Sequence, residues 1–194
     1  MKPVVKTSLK LVAAIAAFGL VLLFVLRYNT KAHSPEDTIV FEDNGLKMEV
    51  FYNRPHKRGR EVFGELVPFN EVWRTGANEA TTFETTEDIM VDGSLLKAGK
   101  YTLWTIPGEE SWKVIFNSEM YPWGINMEKQ AYRDPQYDAL VVEIGVDELQ
   151  ENVEQFTIFF NKTNDLVFMI LAWDHTSIPV PIKTERTEFY KEAV

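Results

Sequence analysis

From Thr38 onward the dominant hydrophobic period is two. Leu46, Met48, Val50 and Tyr52 alternate with Lys47, Glu49 and Phe51. Trp112, Val114 and Phe116 repeat the pattern, as do Leu140, Val142 and Ile144, and then Phe156, Ile158 and Phe160. Successive side chains of a strand point to opposite faces, so this spacing gives each strand one apolar face for a core. Asn44-Gly45 and Asp92-Gly93 stand beside such runs. Both dipeptides favour the two-residue hairpin turn, whose central residues need positive φ. Tyr101 to Ile106 is a β-branched and aromatic run closed by Pro107-Gly108, and Leu166 to Trp173 follows a polar turn at Asn161–Asp165. Short strands joined by turns, with no βαβ rhythm, predict a mainly β fold: an antiparallel β-sandwich, or a barrel-like closure of the same strands.

Three stretches read differently. Ile178, Val180 and Ile182 alternate with Pro179 and Pro181, and proline cannot donate to a ladder, so an edge strand or extended segment is expected there. Helical candidates are few: a short acidic turn at Asp147–Glu151, the stretch Glu128–Arg133, and a short helix in the tail 185–194. Asn117 to Tyr137 is a long connection carrying Trp123-Gly124, and such connections either serve function or cover a sheet edge.

The N-terminus belongs to another regime. Leu11 to Leu26 is an uncharged run of sixteen residues between Lys10 and Arg27. At about 1.5 Å per residue it covers roughly 24 Å, and Ser8 to Tyr28 covers about 31 Å if Lys10 and Arg27 snorkel. A hydrocarbon core is about 30 Å thick, so residues 8–28 are expected to form a transmembrane helix, a signal-anchor with the N-terminus cytoplasmic. The alternative is secretion after cleavage near Ala32, against which Arg27 and Lys31 weigh. The organisation expected is 1–31 basic flank and membrane anchor, 32–37 linker, 38–184 β-sandwich and 185–194 tail. The β domain then lies in the periplasm or outside the cell, on a single-pass inner-membrane protein.

Composition narrows the chemistry. Residues 1–31 carry five of the twenty basic residues and no acid, which leaves fifteen bases against twenty-nine acids beyond them, a net charge of −14. Nucleic-acid binding is dominated by phosphate neutralisation, so that partner is excluded. Cysteine is absent, which removes thiol catalysis and thiolate metal sites. The three histidines, His33, His56 and His175, show no paired spacing, and no metal or other cofactor is expected. There is no Gly-x-Ser-x-Gly elbow and no phosphate-cradling glycine loop.

The segment Tyr52 to Thr81 concentrates the remaining candidates. Arg54, Lys57, Arg58 and Arg60 place four positive charges in seven residues, with His56 among them, and Arg74 follows beside Trp73. A guanidinium fork fits a carboxylate or phosphate, so an anionic envelope ligand is one reading. Ion pairing of a solvated loop with the surplus carboxylates is the other. Asn78 and Glu79, in Thr75-Gly76-Ala77-Asn78-Glu79, either meet a ligand or cap a turn. Trp123, beside Gly124 in the long connection, is the tryptophan most suited to stack on a sugar ring.

These segments carry a resemblance. The chain from Tyr52-Asn53-Arg54-Pro55-His56 through Phe63-Gly64-Glu65-Leu66-Val67-Pro68 and Trp73-Arg74-Thr75-Gly76-Ala77-Asn78-Glu79 is similar to an uncharacterised bacterial envelope family, domain of unknown function 2911. The likeness continues through Leu96–Leu103, Ile106-Pro107-Gly108, Trp112–Asn117, Trp123-Gly124 and Leu171-Ala172-Trp173-Asp174. Asn53 and Phe69 depart from it, where serine and tyrosine would be expected. The resemblance implies a β-rich envelope domain and no particular activity. The expected function is a ligand-binding or interaction module of the cell envelope, with a hydrolase on an envelope glycan or ester, using Glu79 or His56, as the alternative. The expected ligand-binding set is Arg54, His56, Arg58, Arg60, Trp73, Arg74, Asn78, Glu79 and Trp123, with an anionic or carbohydrate ligand.

Overall fold

Two turns required by the sequence set two hairpins. Asn44 and Gly45 take φ of 49° and 94°, and Asp92 and Gly93 take 47° and 75°. These values match the primed turns whose twist suits paired strands. They join β1 (Glu36–Asp43) to β2 (Leu46–Asn53), and β4 (Ile89–Val91) to β5 (Ser94–Leu96). The computed structural model describes residues 3–164 and 166–184, with side chains from Lys10 onward except those of Leu23, Leu26, Arg27, Asn29 and Thr184. The short helix expected in 185–194 lies outside the described residues.

The remaining strands are β3 (Thr82–Thr85), β6 (Gly99–Ile106), β7 (Ser111–Asn117), β8 (Asp138–Gly145), β9 (Asp147–Thr163) and β10 (Leu166–Thr184). They form a six-stranded sheet, β1-β2-β3-β6-β7-β8, and a four-stranded sheet, β5-β4-β10-β9. Every pairing is antiparallel. The architecture is sandwich-like, as the period of two required. Leu46, Met48, Val50 and Tyr52 are all buried in the core between the sheets, as are Trp112, Val114 and Phe116. Phe63, Trp73, Trp112, Phe156 and Trp173 form an aromatic centre there, with Trp73 stacked on Trp173 at 5.9 Å and 17°. The Tyr52 hydroxyl ties the sheets together: it donates to the Ile158 carbonyl (3.3 Å) and accepts from the Ile158 amide (2.9 Å).

The six-stranded sheet is also covered on its outer side. Alternation along β6 and β7 turns Leu103, Val114 and Phe116 inward and Trp104 and Ile115 outward. Trp104 and Ile115 are nevertheless buried, packed with Ala80, Val72, Tyr121 and Ala131. The β7–β8 connection supplies much of this cover. Its base is clamped by Asn117, whose amide donates to the Asp134 carbonyl and to Asp138 (2.8 Å each), and by the Arg133–Asp138 ion pair.

Two expectations are corrected and a third is narrowed. Asp147–Glu151 is the start of β9, not an acidic turn, and Glu128–Arg133 contains turns and an Ile125–Ala131 bridge rather than helix. The proline-bearing segment takes the extended form, the second of the two expected, within β10, which lies between β9 and β4 rather than at the sheet's edge. Its β9 ladder ends at Ser177 and its β4 ladder begins at Ile182, so Pro179 and Pro181 fall where the strand changes partner and no donor is needed.

The chain divides after His33, and the first unit is α1 (Pro3–His33). Its side chains Leu11, Ile15, Phe18, Leu20 and Phe24 are exposed. Among the described residues no helix is long and apolar enough to cross a membrane. A helix over residues 8–28 is present within α1, but its expected role as a span is not supported.

Candidate functional site

The basic segment 54–60 leaves β2 and runs onto the four-stranded sheet. Arg54 donates to Thr157 Oγ1 (2.9 Å) and the Phe156 carbonyl (3.3 Å), and pairs with Asp37 (3.2 Å). Lys57 pairs with Asp174. The Arg58 amide donates to Glu154 Oε1 at 2.8 Å, with Arg58 at a φ of 53°. Arg60 donates to the carbonyls of His56 (2.6 Å) and Lys57 (2.9 Å), and His56 bridges to Gln155. These contacts fasten the end of β2 across the sandwich to β9 and β10.

Asn78 and Glu79 gather at a different place, around buried Asn53. Asn53 Nδ2 donates to Glu79 Oε2 (3.2 Å), and Asn78 Nδ2 donates to Asn53 Oδ1 (3.3 Å) and the Ser34 carbonyl (3.4 Å). The turn that carries them is tightly built. Thr81 Oγ1 donates to the Thr75 carbonyl (2.7 Å), and a Cβ on Gly76 would stand 2.8 Å from the Asn53 carbonyl oxygen. Thr75, β-branched and buried, has a φ of 53°, a conformation costing about 1–3 kcal/mol.

Immediately before that strained residue stand Trp73 and Arg74. Trp73 pairs with Thr105 of β6 through both backbone bonds (2.7 and 3.0 Å), prolonging the line of β3. Its ring turns into the aromatic centre, and its indole N–H donates to the Gly76 carbonyl (3.1 Å). It is a core residue and not a free stacking platform.

Arg74 is held under the β7–β8 connection. Gly124 lies against its stem so closely that a Cβ there would stand 2.1 Å from Arg74 Cδ. The Gly124 amide donates to the Asn78 carbonyl (2.9 Å), which locks the connection over the turn. Arg74 Nε is sealed from solvent without a hydrogen-bond partner, and burial lowers the pKa of the guanidinium. No ion pair joins Arg74 to a described residue. An arginine titrates so high that it stays charged regardless. The residue lines a cavity of about 270 Å³ with Leu66, Pro68, Val72, Ile125 and Lys129, and Glu71 also lines it.

Two further cavities adjoin this one along residues 129–133. One of about 360 Å³ shares Glu71, Val72, Lys129 and Ala131 with it. The next, of about 610 Å³, shares Gln130, Ala131 and Arg133 with that, and is lined by Tyr121, Tyr132 and Tyr137. Of the expected site residues, the structure places Arg74 and Trp73 at this cleft. It carries Arg54, His56 and Arg58 to β9, folds Arg60 back on the carbonyls of His56 and Lys57, and brings Asn78 and Glu79 to Asn53. Trp123 is half-buried beside Gly124. Sequence reasoning missed Lys129 and the three tyrosines, and the signal for them was the length of the Asn117–Tyr137 connection. Among the described residues no group of three potential ligands could hold a metal ion.

Residues 34–182 match the family model described as protein of unknown function DUF2911. No curated protein and no solved structure matches the chain. The match spans both sheets of the sandwich and the whole cleft around Arg74, and the chain belongs to this family.

Proposed function

We propose that this chain is a ligand-binding module of the cell envelope whose β-sandwich takes an anionic group, a carboxylate or a phosphate, at Arg74. The observation behind the reading is a half-buried arginine in the wall of a cavity, its Nε sealed without a hydrogen-bond partner and no carboxylate among the described residues paired to it. A desolvated cation without a counter-charge is costly, and an anion entering the cleft supplies the missing charge. Lys129 adds a second cation, so that two positive side chains face the single carboxylate of Glu71, and the apolar walls strengthen attraction by excluding water. The strained Thr75 next in sequence fits a position held for function at some expense of stability. A hydrolase using Glu79 or His56 is the competing reading, and neither residue lines the three cavities.

The test is a titration of the full chain in detergent with inorganic phosphate and with acetate, read by tryptophan fluorescence, since Trp73 borders the cavity. Saturable binding is expected, weakened roughly tenfold or more by Arg74→Met, because a charged hydrogen bond contributes about 1.5–3 kcal/mol. Arg54→Ala should leave binding unchanged. Equal binding by Arg74→Met and the unaltered chain would overturn the reading.

The envelope location is part of the same proposal. The exposed apolar side chains of α1, flanked by basic residues, support burial of residues 8–28 in lipid. Cleavage near Ala32 would instead release the same domain on the same side of the membrane.

A further inference from the structure

We infer that the ligand is an acidic saccharide, with a sugar ring held against Tyr132 and Tyr137 and its acidic group at Arg74. This rests on the reading of Arg74 above and adds the chemical class of the ligand. The 610 Å³ cavity has the two properties a sugar requires. A pyranose presents an apolar C–H face and a ring of hydroxyls close to its plane. It therefore needs aromatic surface together with planar donors and acceptors.

The aromatic surface is open and firmly based. Tyr132 and Tyr137 are 49% and 41% exposed. Behind them, Tyr121 stands edge-on to buried Trp104 (5.6 Å, 80°), and the Tyr132 ring lies 5.5 Å from Tyr121. The Tyr121 hydroxyl accepts the Asp134 amide at 2.9 Å, so the base is fixed before a ligand arrives. The planar polar groups are available. The Gln130 carboxamide and Asn126 Nδ2 make no hydrogen bond to a described residue, while Asn126 Oδ1 orients the pair by accepting the Gln130 amide (2.9 Å). Glu119 adds a carboxylate without an ion pair among the described residues. A lipid tail would leave all three polar groups unsatisfied.

Charge distribution sets the direction. Glu119 and Asp134 outnumber Arg133 in the lining of the tyrosine cavity and disfavour an anion there, whereas Arg74 and Lys129 outnumber Glu71 in the cavity at the other end. Ala131 lines all three cavities and neighbouring cavities share further residues of 129–133, so one chain of sugar units can run along them. A neutral sugar at the tyrosines and an acidic group at Arg74 satisfy both ends.

The experiment titrates the full chain in detergent with uronic-acid trisaccharides, their neutral counterparts and inorganic phosphate, by calorimetry. The acidic sugars should bind roughly tenfold more tightly than the neutral ones, and Arg74→Met should abolish that preference. Tyr132→Ala with Tyr137→Ala should weaken all saccharides roughly tenfold while phosphate binding persists, and Tyr132→Phe, which keeps the ring, should bind normally. Phosphate binding with no saccharide binding overturns this inference alone. A preference for acidic sugars that survives in Arg74→Met overturns the assignment of Arg74 as well, and failure of every probe overturns both.

Discussion

Arg74 Nε is sealed from water without a hydrogen-bond partner, and no ion pair joins this half-buried side chain to a described residue, a combination that lowers stability. Replacing Arg74 by a neutral side chain of similar reach keeps the packing against Gly124 and removes the charge. Arg74→Met is therefore expected to stabilise the ligand-free domain by about 1–3 kcal/mol, measured by chemical denaturation. A clear loss of stability would mean that the charge is compensated and the argument from Arg74 fails. The adjacent residue shows what a linear reading misses. Trp73 and Arg74 are neighbours, yet the alternation of extended backbone sends one ring into the core and the other side chain under the β7–β8 connection. Nothing in the local sequence says which of the two lies under the connection. The partner that decides it, Gly124, is fifty residues away.

Elements were more legible than the site. Asn44-Gly45 and Asp92-Gly93 fixed two hairpins because positive φ is a local demand. The apolar alternation identified β2, β7 and β8 because one face of each strand had to be buried. Pro179 and Pro181 pointed to an edge strand or an extended segment, and the second holds because β10 changes partner there and needs no ladder donor. The acidic start of β9 misled because an edge strand carries charge at little cost. The link between the sheets yields a prediction at this scale. Tyr52→Phe removes a hydroxyl that both donates to and accepts from Ile158. It should cost about 1–3 kcal/mol, since the Ile158 groups are left buried and unpaired. A thermal unfolding midpoint equal to that of the parent chain would show that the bridge contributes nothing.

At the scale of the molecule the open matter is α1. If its exposed apolar surface is buried in lipid, the full chain should sediment with membranes and resist carbonate extraction, and protease added to spheroplasts should remove the β domain. A fully soluble mature chain beginning near His33 would sink the anchoring proposal while leaving the cleft untouched. The strand order carries one more consequence. A chain that emerges N-terminus first completes all six strands of the larger sheet by Gly145, before β9 or β10 exists. The short β4 and β5 cannot cover that sheet by themselves, because β4 finds its second neighbour only at Ile182–Thr184 of β10. Until the last residues of the sandwich arrive, Trp112, Phe116 and Phe83 face no partner sheet. Nascent chains of this topology therefore pass through an interval of open apolar surface, when aggregation competes with closure.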